Sequence, residues 1–125
     1  MKILMVDDEE DIRKVGLLSL KRVGKFEVVQ AEDAITGLEL ARIEQPDLIL
    51  LDAMMPGMDG PSALQVLKQD PKIRHIPVIF MTAKVQPQDI EHYRSLGAIG
   101  VISKPFDPLT LPAEIRQMLA ESPSQ

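Results

Sequence analysis

The segment Leu48-Ile49-Leu50-Leu51-Asp52-Ala53-Met54-Met55-Pro56-Gly57-Met58-Asp59-Gly60 decides how the rest of the chain is read. An aliphatic run without polar alternation is what a strand covered on both faces looks like, and such strands belong to parallel sheets flanked by helices. The run ends in an acid, Asp52, and the residues after it are too rich in turn formers to continue the strand. Four more short, mostly apolar runs lie outward from it: Ile3 to Val6, Phe26 to Val29, Val78 to Met81 and Gly100 to Ile102. Glu27 interrupts the second run and marks it as an edge strand.

Between the runs, apolar residues recur at spacings of three and four, the helical period. Ile12, Val15 and Leu18, then Leu20 and Val23, mark a first helix stopped by Gly24. Asp33 caps a second helix carrying Ile35, Leu38, Leu40 and Ile43, closed by Pro46. The third opens with Pro61 in its first turn, runs through Leu64 and Leu67, and ends before Pro71. The fourth covers Pro87 to Leu96 with Gly97 at its end. The fifth starts near Pro108 and carries Leu111, Ile115 and Leu119. Strands alternating with helices in this way imply an α/β fold, a doubly wound parallel (βα)5 sheet. Residues 1–121 form one domain and residues 122–125 a short polar tail.

Composition narrows the chemistry. The chain has 125 residues, 45% hydrophobic and 26% charged, the balance of an ordinary globular domain. With no cysteine, a disulfide scaffold, a Cys-ligated zinc and a thiol nucleophile are excluded. Acids outnumber bases 19 to 14 for a net charge of −5, which gives no electrostatic case for nucleic-acid binding by this chain. No apolar run approaches a membrane span, and no signal peptide precedes the first strand, so the expected location is cytoplasmic.

In a doubly wound sheet the functional crevice lies at the carboxyl ends of the strands, where strand order reverses. The residues there are Asp7-Asp8-Glu9-Glu10-Asp11, Asp52, Thr82-Ala83 and Ser103-Lys104-Pro105. In the flavodoxin-like order 2-1-3-4-5, strands one and three are neighbours, and Asp7, Asp8 and Asp52 converge. Converging carboxylates repel unless a cation joins them, and an oxygen-only donor set points to a hard ion, Mg²⁺ before zinc or copper. Lys104 and Thr82 add a cation and a hydroxyl. Together these suit a phosphoryl group, with a carboxylate as nucleophile forming an aspartyl phosphate. Singly, each residue reads as structure: the acid run as a helix start, Asp52 as a turn, Lys104 as surface. Their coincidence at the ends of four strands carries the inference.

These residues resemble the receiver domain of two-component response regulators, the chemotaxis-regulator-like family, from Met1 to about Leu119. The marks are the Asp7-Asp8 pair, Leu50 to Gly60, Thr82-Ala83 and Lys104-Pro105-Phe106, in order and at family spacing. The resemblance implies that Asp52 accepts a phosphoryl group from a sensor histidine kinase or a phosphotransfer protein. It implies Mg²⁺ held by Asp8, Asp52 and the Met54 backbone carbonyl, with Asp7 acting mainly through water. Thr82 and Lys104 would bind the phosphoryl group, and Lys104-Pro105 would be a cis peptide. An unknown downstream protein target receives the signal, with no nucleic acid and no membrane engaged, and the chain is expected to be a monomer or weak dimer. The start at Met1 fits a natural N-terminus, and the tail reads equally as natural or as the stub of a linker to a longer regulator or hybrid kinase.

One position departs from the family. Val101 stands where a switch aromatic is usual, so signal is expected to pass through the loop after Thr82 and the face of the fourth helix. Met54 and Lys84 flank the path of a hydrolysing water and offer no group to orient it, so slow self-dephosphorylation is expected. His75 and His92 read as surface residues, and Tyr93 as either a partner surface or packing. Two other functions fit less well. A Mg²⁺-dependent phosphatase or mutase of the haloacid-dehalogenase type needs a second aspartate where Met54 stands. A flavin or nucleotide binder would meet repulsion from the acids after strand one.

Overall fold

The computed structural model describes residues 1–122, so most of the expected tail lies outside the described residues. Elements alternate from the start: β1 (Lys2–Val6), α1 (Glu10–Leu18), a π-helical turn (Ser19–Val23), β2 (Glu27–Ala31) and α2 (Ala34–Glu44). Next come β3 (Leu48–Asp52), α3 (Gly60–Lys68), β4 (Val78–Thr82), α4 (Pro87–Ser95), β5 (Gly100–Ser103) and α5 (Leu111–Glu121). All pairings are parallel, in the order β2-β1-β3-β4-β5, which is the expected doubly wound arrangement. Strand β2 lies at one edge, as the Glu27 interruption indicates.

Side chains alternate across the sheet and build two cores. Leu4, Val6, Ile49, Leu51, Val78 and Phe80 face Leu38, Leu64, Leu67 and Tyr93 from α2, α3 and α4. Ile3, Met5, Leu48, Leu50, Ile79 and Met81 face Leu20, Leu111 and Ile115 on the other side. Every residue of β3 and β4 is buried, as their unbroken apolar runs require.

Three helices differ from the expected ones. The first helix does not continue as α-helix to Gly24; the π-helical turn adds a residue to the coil and turns Ser19 and Leu20 inward. Val15, Leu18 and Val23 are left exposed. In α2 the buried residues are Ala34, Gly37, Leu38 and Ala41, while Ile35 and Ile43 face outward. Close approach explains this: a Cβ on Gly37 would lie 2.8 Å from the Val6 side chain, so small residues win the inner face. Helix α5 begins at Leu111 rather than Pro108, because Asp107 first closes a turn, its carbonyl accepting from Thr110 and Leu111. Tyr93 packs inward, its ring 4.8 Å from that of Phe80, and both histidines are exposed.

Candidate functional site

Strand register places the chemistry. Val6 pairs with Leu51, Asp52 with Met81, and Thr82 with Ser103, so Asp7, Asp52, Thr82 and Lys104 sit at one end of four adjacent strands. Asp7 leaves β1 with its amide donating to the Ala31 carbonyl, and its own carbonyl accepts from the Arg13 guanidinium at 2.8 Å. Its Oδ1 accepts from the Glu9 amide at 2.8 Å, and the side chain is fully buried. Asp52 closes β3; its Oδ1 accepts from the Met54 amide at 3.1 Å. The next loop is held close by Gly60, where a Cβ would lie 2.5 Å from the Asp52 carbonyl oxygen. Thr82 is buried, and its Oγ1 accepts from the Lys84 amide at 3.1 Å. The Lys104 amide donates to the Thr82 carbonyl, and the Lys104-Pro105 peptide is cis.

The Lys104 ammonium then reaches back across the strand ends. It donates to Asp7 Oδ2 at 3.1 Å and to Glu9 Oε1 at 3.0 Å, and lies 3.4 Å from Asp52 Oδ2. Asp52 Oδ2 is buried and accepts no hydrogen bond, although the residue is only 2% exposed. A buried carboxylate oxygen without a partner is costly, because its lost hydration has no replacement. Oxygens of Asp7, Asp8, Glu9 and Asp52 all lie within 4.8 Å of one another. Four carboxylates against one ammonium leave a local excess of negative charge.

Burial of these groups shifts their proton equilibria further than their mutual charge does. Burial pushes the Asp52 carboxyl up to about 6, the Asp7 charge adds to it, and the Met54 amide and Lys104 only partly offset it. Burial also raises Asp7 above the usual carboxylate range, despite the Glu9 amide and Lys104. Burial draws Lys104 down, but hydrogen bonds to Glu9 and Asp7 and the charge of Asp52 outweigh it, so the ammonium is held well above the ordinary lysine value. An oxygen-only donor set, an orphaned buried oxygen and surplus negative charge fit a hard divalent cation.

An open cleft of about 380 Å³ adjoins these groups, lined by Glu9, Ile12, Asp52, Met54, Thr82, Ala83, Lys104 and Pro105. Of the residues singled out from sequence, Asp7, Asp8, Asp52, Met54, Thr82, Lys104 and Pro105 meet at or beside it. Lys84 is exposed, makes no ion pair among the described residues and does not line the cleft. Val101 is half-buried, packed against the core that contains Phe80 and Tyr93. Sequence reading missed Glu9 as a member of the site, and with it Ile12 and Arg13. Glu9 was visible in the acid run, but nothing in its spacing separated it from Glu10 and Asp11.

Comparison with known proteins supplies the family. The family model of the response regulator receiver domain matches residues 3–116. Response regulator PleD of Caulobacter vibrioides is 42% identical over 118 residues, covering 94% of this chain and 26% of PleD. Transcriptional regulatory protein CseB of Streptomyces coelicolor is 37% identical over 117 residues, covering 94% of this chain and 48% of CseB. The chain therefore spans between a quarter and a half of the length of these curated relatives. Among solved structures, chemotaxis response regulator CheY4 of Vibrio cholerae superposes with a TM-score of 0.86 at 29% identity, covering 94% of this chain and 97% of that one. No helix among the described residues is long and apolar enough to cross a membrane. With its strand order, its acidic cleft and a family match over nearly its whole length, the chain belongs to the receiver domains of response regulators, which are signalling domains rather than enzymes in the ordinary sense.

Proposed function

We propose that this receiver takes a phosphoryl group onto Asp52 from a phosphohistidine on a sensor kinase or phosphotransfer protein. The observation that carries the reading is Asp52 Oδ2, a buried carboxylate oxygen with no hydrogen-bond partner, beside an ammonium and in a residue that lines an open cleft. In the transfer, an Oδ2 lone pair forms the new O–P bond while the P–N bond breaks, and its electron pair returns to the imidazole nitrogen. The Met54 amide on Oδ1 fixes the carboxylate plane, leaving Oδ2 as the attacking atom. Lys104, already within 3.4 Å, offsets the charge of the phosphoryl oxygens. The Thr82 hydroxyl oxygen accepts from the Lys84 amide, which leaves its O–H free to donate to the phosphoryl group when the side chain turns inward.

Asp8 and Asp52, with the Met54 carbonyl, would hold Mg²⁺, and Asp7 would reach it through water. When bound, the ion would neutralise the acids and withdraw charge from the phosphoryl oxygens. The switch is a population shift: the phosphorylated state favours the inward Thr82, and a differential of about a few kcal/mol inverts the populations.

The output remains a protein target, reached through the loop after Thr82 and the face of α4. Tyr93 on Phe80 supports α4 as the carrier, since Val101 offers no ring to move. The same reading takes residues 1–121 as the unit, a cytoplasmic site of action, and a monomer or weak dimer. Relatives named as transcription regulators favour this receiver as part of a longer regulator; its own charge of −5 gives it no part in binding DNA. A phosphatase or mutase is disfavoured because Met54 is 64% exposed and carries no acid to protonate a leaving group.

The test is an intact-mass time course with acetyl phosphate and Mg²⁺. Gain of one phosphoryl mass by the wild type and none by Asp52→Asn supports the assignment. No gain from acetyl phosphate or from a phosphohistidine donor overturns it.

A further inference from the structure

The three acids around Lys104 are not equivalent. Asp7 is fully buried and Asp52 is 2% exposed, whereas the Glu9 side chain is 60% exposed. Only Glu9 can swing into water without leaving a buried charge unpaired. Its backbone position is that of a helix cap. Glu9 is the N-cap residue of α1, with extended φ and ψ of −88° and 118°, yet its side chain caps nothing. At the equivalent positions of α2 and α3, Asp33 and Asp59 accept from the amides of Thr36 and Ser62 at 2.8 Å. Glu9 instead reaches across the cleft to Lys104 at 3.0 Å, while Asp52 Oδ2, at 3.4 Å from the same ammonium, receives no hydrogen bond.

We propose that Glu9 is a displaceable counter-ion for Lys104: a positioning residue that occupies one ammonium N–H in the unmodified domain and yields it when a phosphoryl group arrives. This rests on the phosphoacceptor reading of Asp52. Lys104 keeps its proton throughout; one of its N–H donors passes from Glu9 Oε1 to a phosphoryl oxygen, and Asp7 retains another. The released Glu9 carboxylate goes to solvent. Glu9 therefore opposes phosphoryl binding by the strength of one exposed ion pair. Its removal tightens the phosphorylated state by about twofold to fivefold.

The test separates reach from charge. Beryllium trifluoride, a phosphoryl analogue, is titrated at saturating Mg²⁺ into wild type, Glu9→Gln, Glu9→Asp and Glu10→Gln. Glu10 pairs with Lys14 and serves as the control for removing one negative charge. Glu9→Asp keeps the charge but draws it back from Lys104 by one methylene. The expected result is binding tightened about twofold to fivefold in both Glu9 variants relative to wild type and Glu10→Gln. The Lys104 ammonium resonance in ¹H–¹⁵N spectra of the metal-free protein should shift in both Glu9 variants and stay fixed in Glu10→Gln. If Glu9→Asp matches wild type, or Glu9→Gln matches Glu10→Gln, the effect is general charge and the proposal falls. A tenfold loss of Mg²⁺ affinity in Glu9→Gln, measured calorimetrically, would make Glu9 part of the metal site instead. Failure of the wild type itself to bind the analogue removes the phosphoacceptor reading and the proposal together.

Discussion

Two lysines in this domain each sit among carboxylates, and they live in opposite energetic worlds. At the amino end of β1, the Lys2 ammonium meets Glu44 at 3.0 Å and Glu27 at 3.7 Å, and the Lys2 amide donates to Asp47 at 2.7 Å. Those acids border water. At the carboxyl end, Lys104 meets Asp7, Glu9 and Asp52, and two of these are buried. Similar residues therefore make a solvated clasp at one end and an under-satisfied charge cluster at the other. Burial makes the difference, because only a desolvated carboxylate pays heavily for a missing partner. The site end thus carries a buried, under-satisfied negative charge that the clasp end does not have.

The largest expected effect breaks the comparison at its centre. Asp52→Asn should lower the initial rate of phosphoryl uptake by more than about a hundredfold, since an amide oxygen is a poor nucleophile. Intact-mass measurement reads this directly, and Lys2→Met should leave uptake unchanged. Next come the two lysines themselves. Lys104→Met strands Asp7 and Asp52 without their cation and should destabilise the domain by about 2–3 kcal/mol at pH 8. Lys2→Met should barely move the urea midpoint. Equal losses from the two substitutions would show that burial is not what separates the two ends.

A third prediction has the opposite sign. Without metal, Asp52→Asn should stabilise the domain at pH 7.5 by about 1–3 kcal/mol. Because the folded-state value of Asp52 stands near 6, above its ordinary 3.8, the ionised form works against folding. That cost is absent below pH 3.8, grows as pH rises towards 6, and is complete above it. The advantage of Asp52→Asn should therefore fade as pH falls from about 7 to 4, tracked by urea midpoints in EDTA. Saturating Mg²⁺ should raise the wild-type midpoint more than that of the variant.

The strands and their order were legible because doubly covered strands announce themselves as unbroken apolar runs, as in Leu48 to Leu51. The site was legible because strand order alone brings Asp7, Asp52, Thr82 and Lys104 to one end. Helix faces were less so. Ile35 and Ile43 satisfied the helical period yet lie outside, since Gly37 allows α2 to approach Val6 more closely than isoleucine could. The π-helical turn at Ser19–Val23 has no periodic signature, because one extra residue looks like a slip in spacing. Glu9 stayed hidden in its acid run because its role depends on a lysine 95 residues away.

A third lysine sharpens the contrast by the smallest margin. Lys84 is exposed and unpaired among the described residues, and its amide already holds Thr82 Oγ1 at 3.1 Å. Nothing among the described residues engages its ammonium in the unmodified domain, and under the phosphoacceptor reading it would be free to swing towards a phosphoryl anion from outside the cleft lining. There it would shield the anion and, like Met54, offer no acid or carboxamide to orient an attacking water. Lys84→Glu should therefore speed loss of the phosphoryl group after donor removal by about twofold to tenfold, the carboxylate replacing a shield with a water-orienting base. Decay measured by intact mass checks this. An unchanged rate would place Lys84 with Lys2, outside the chemistry of the site.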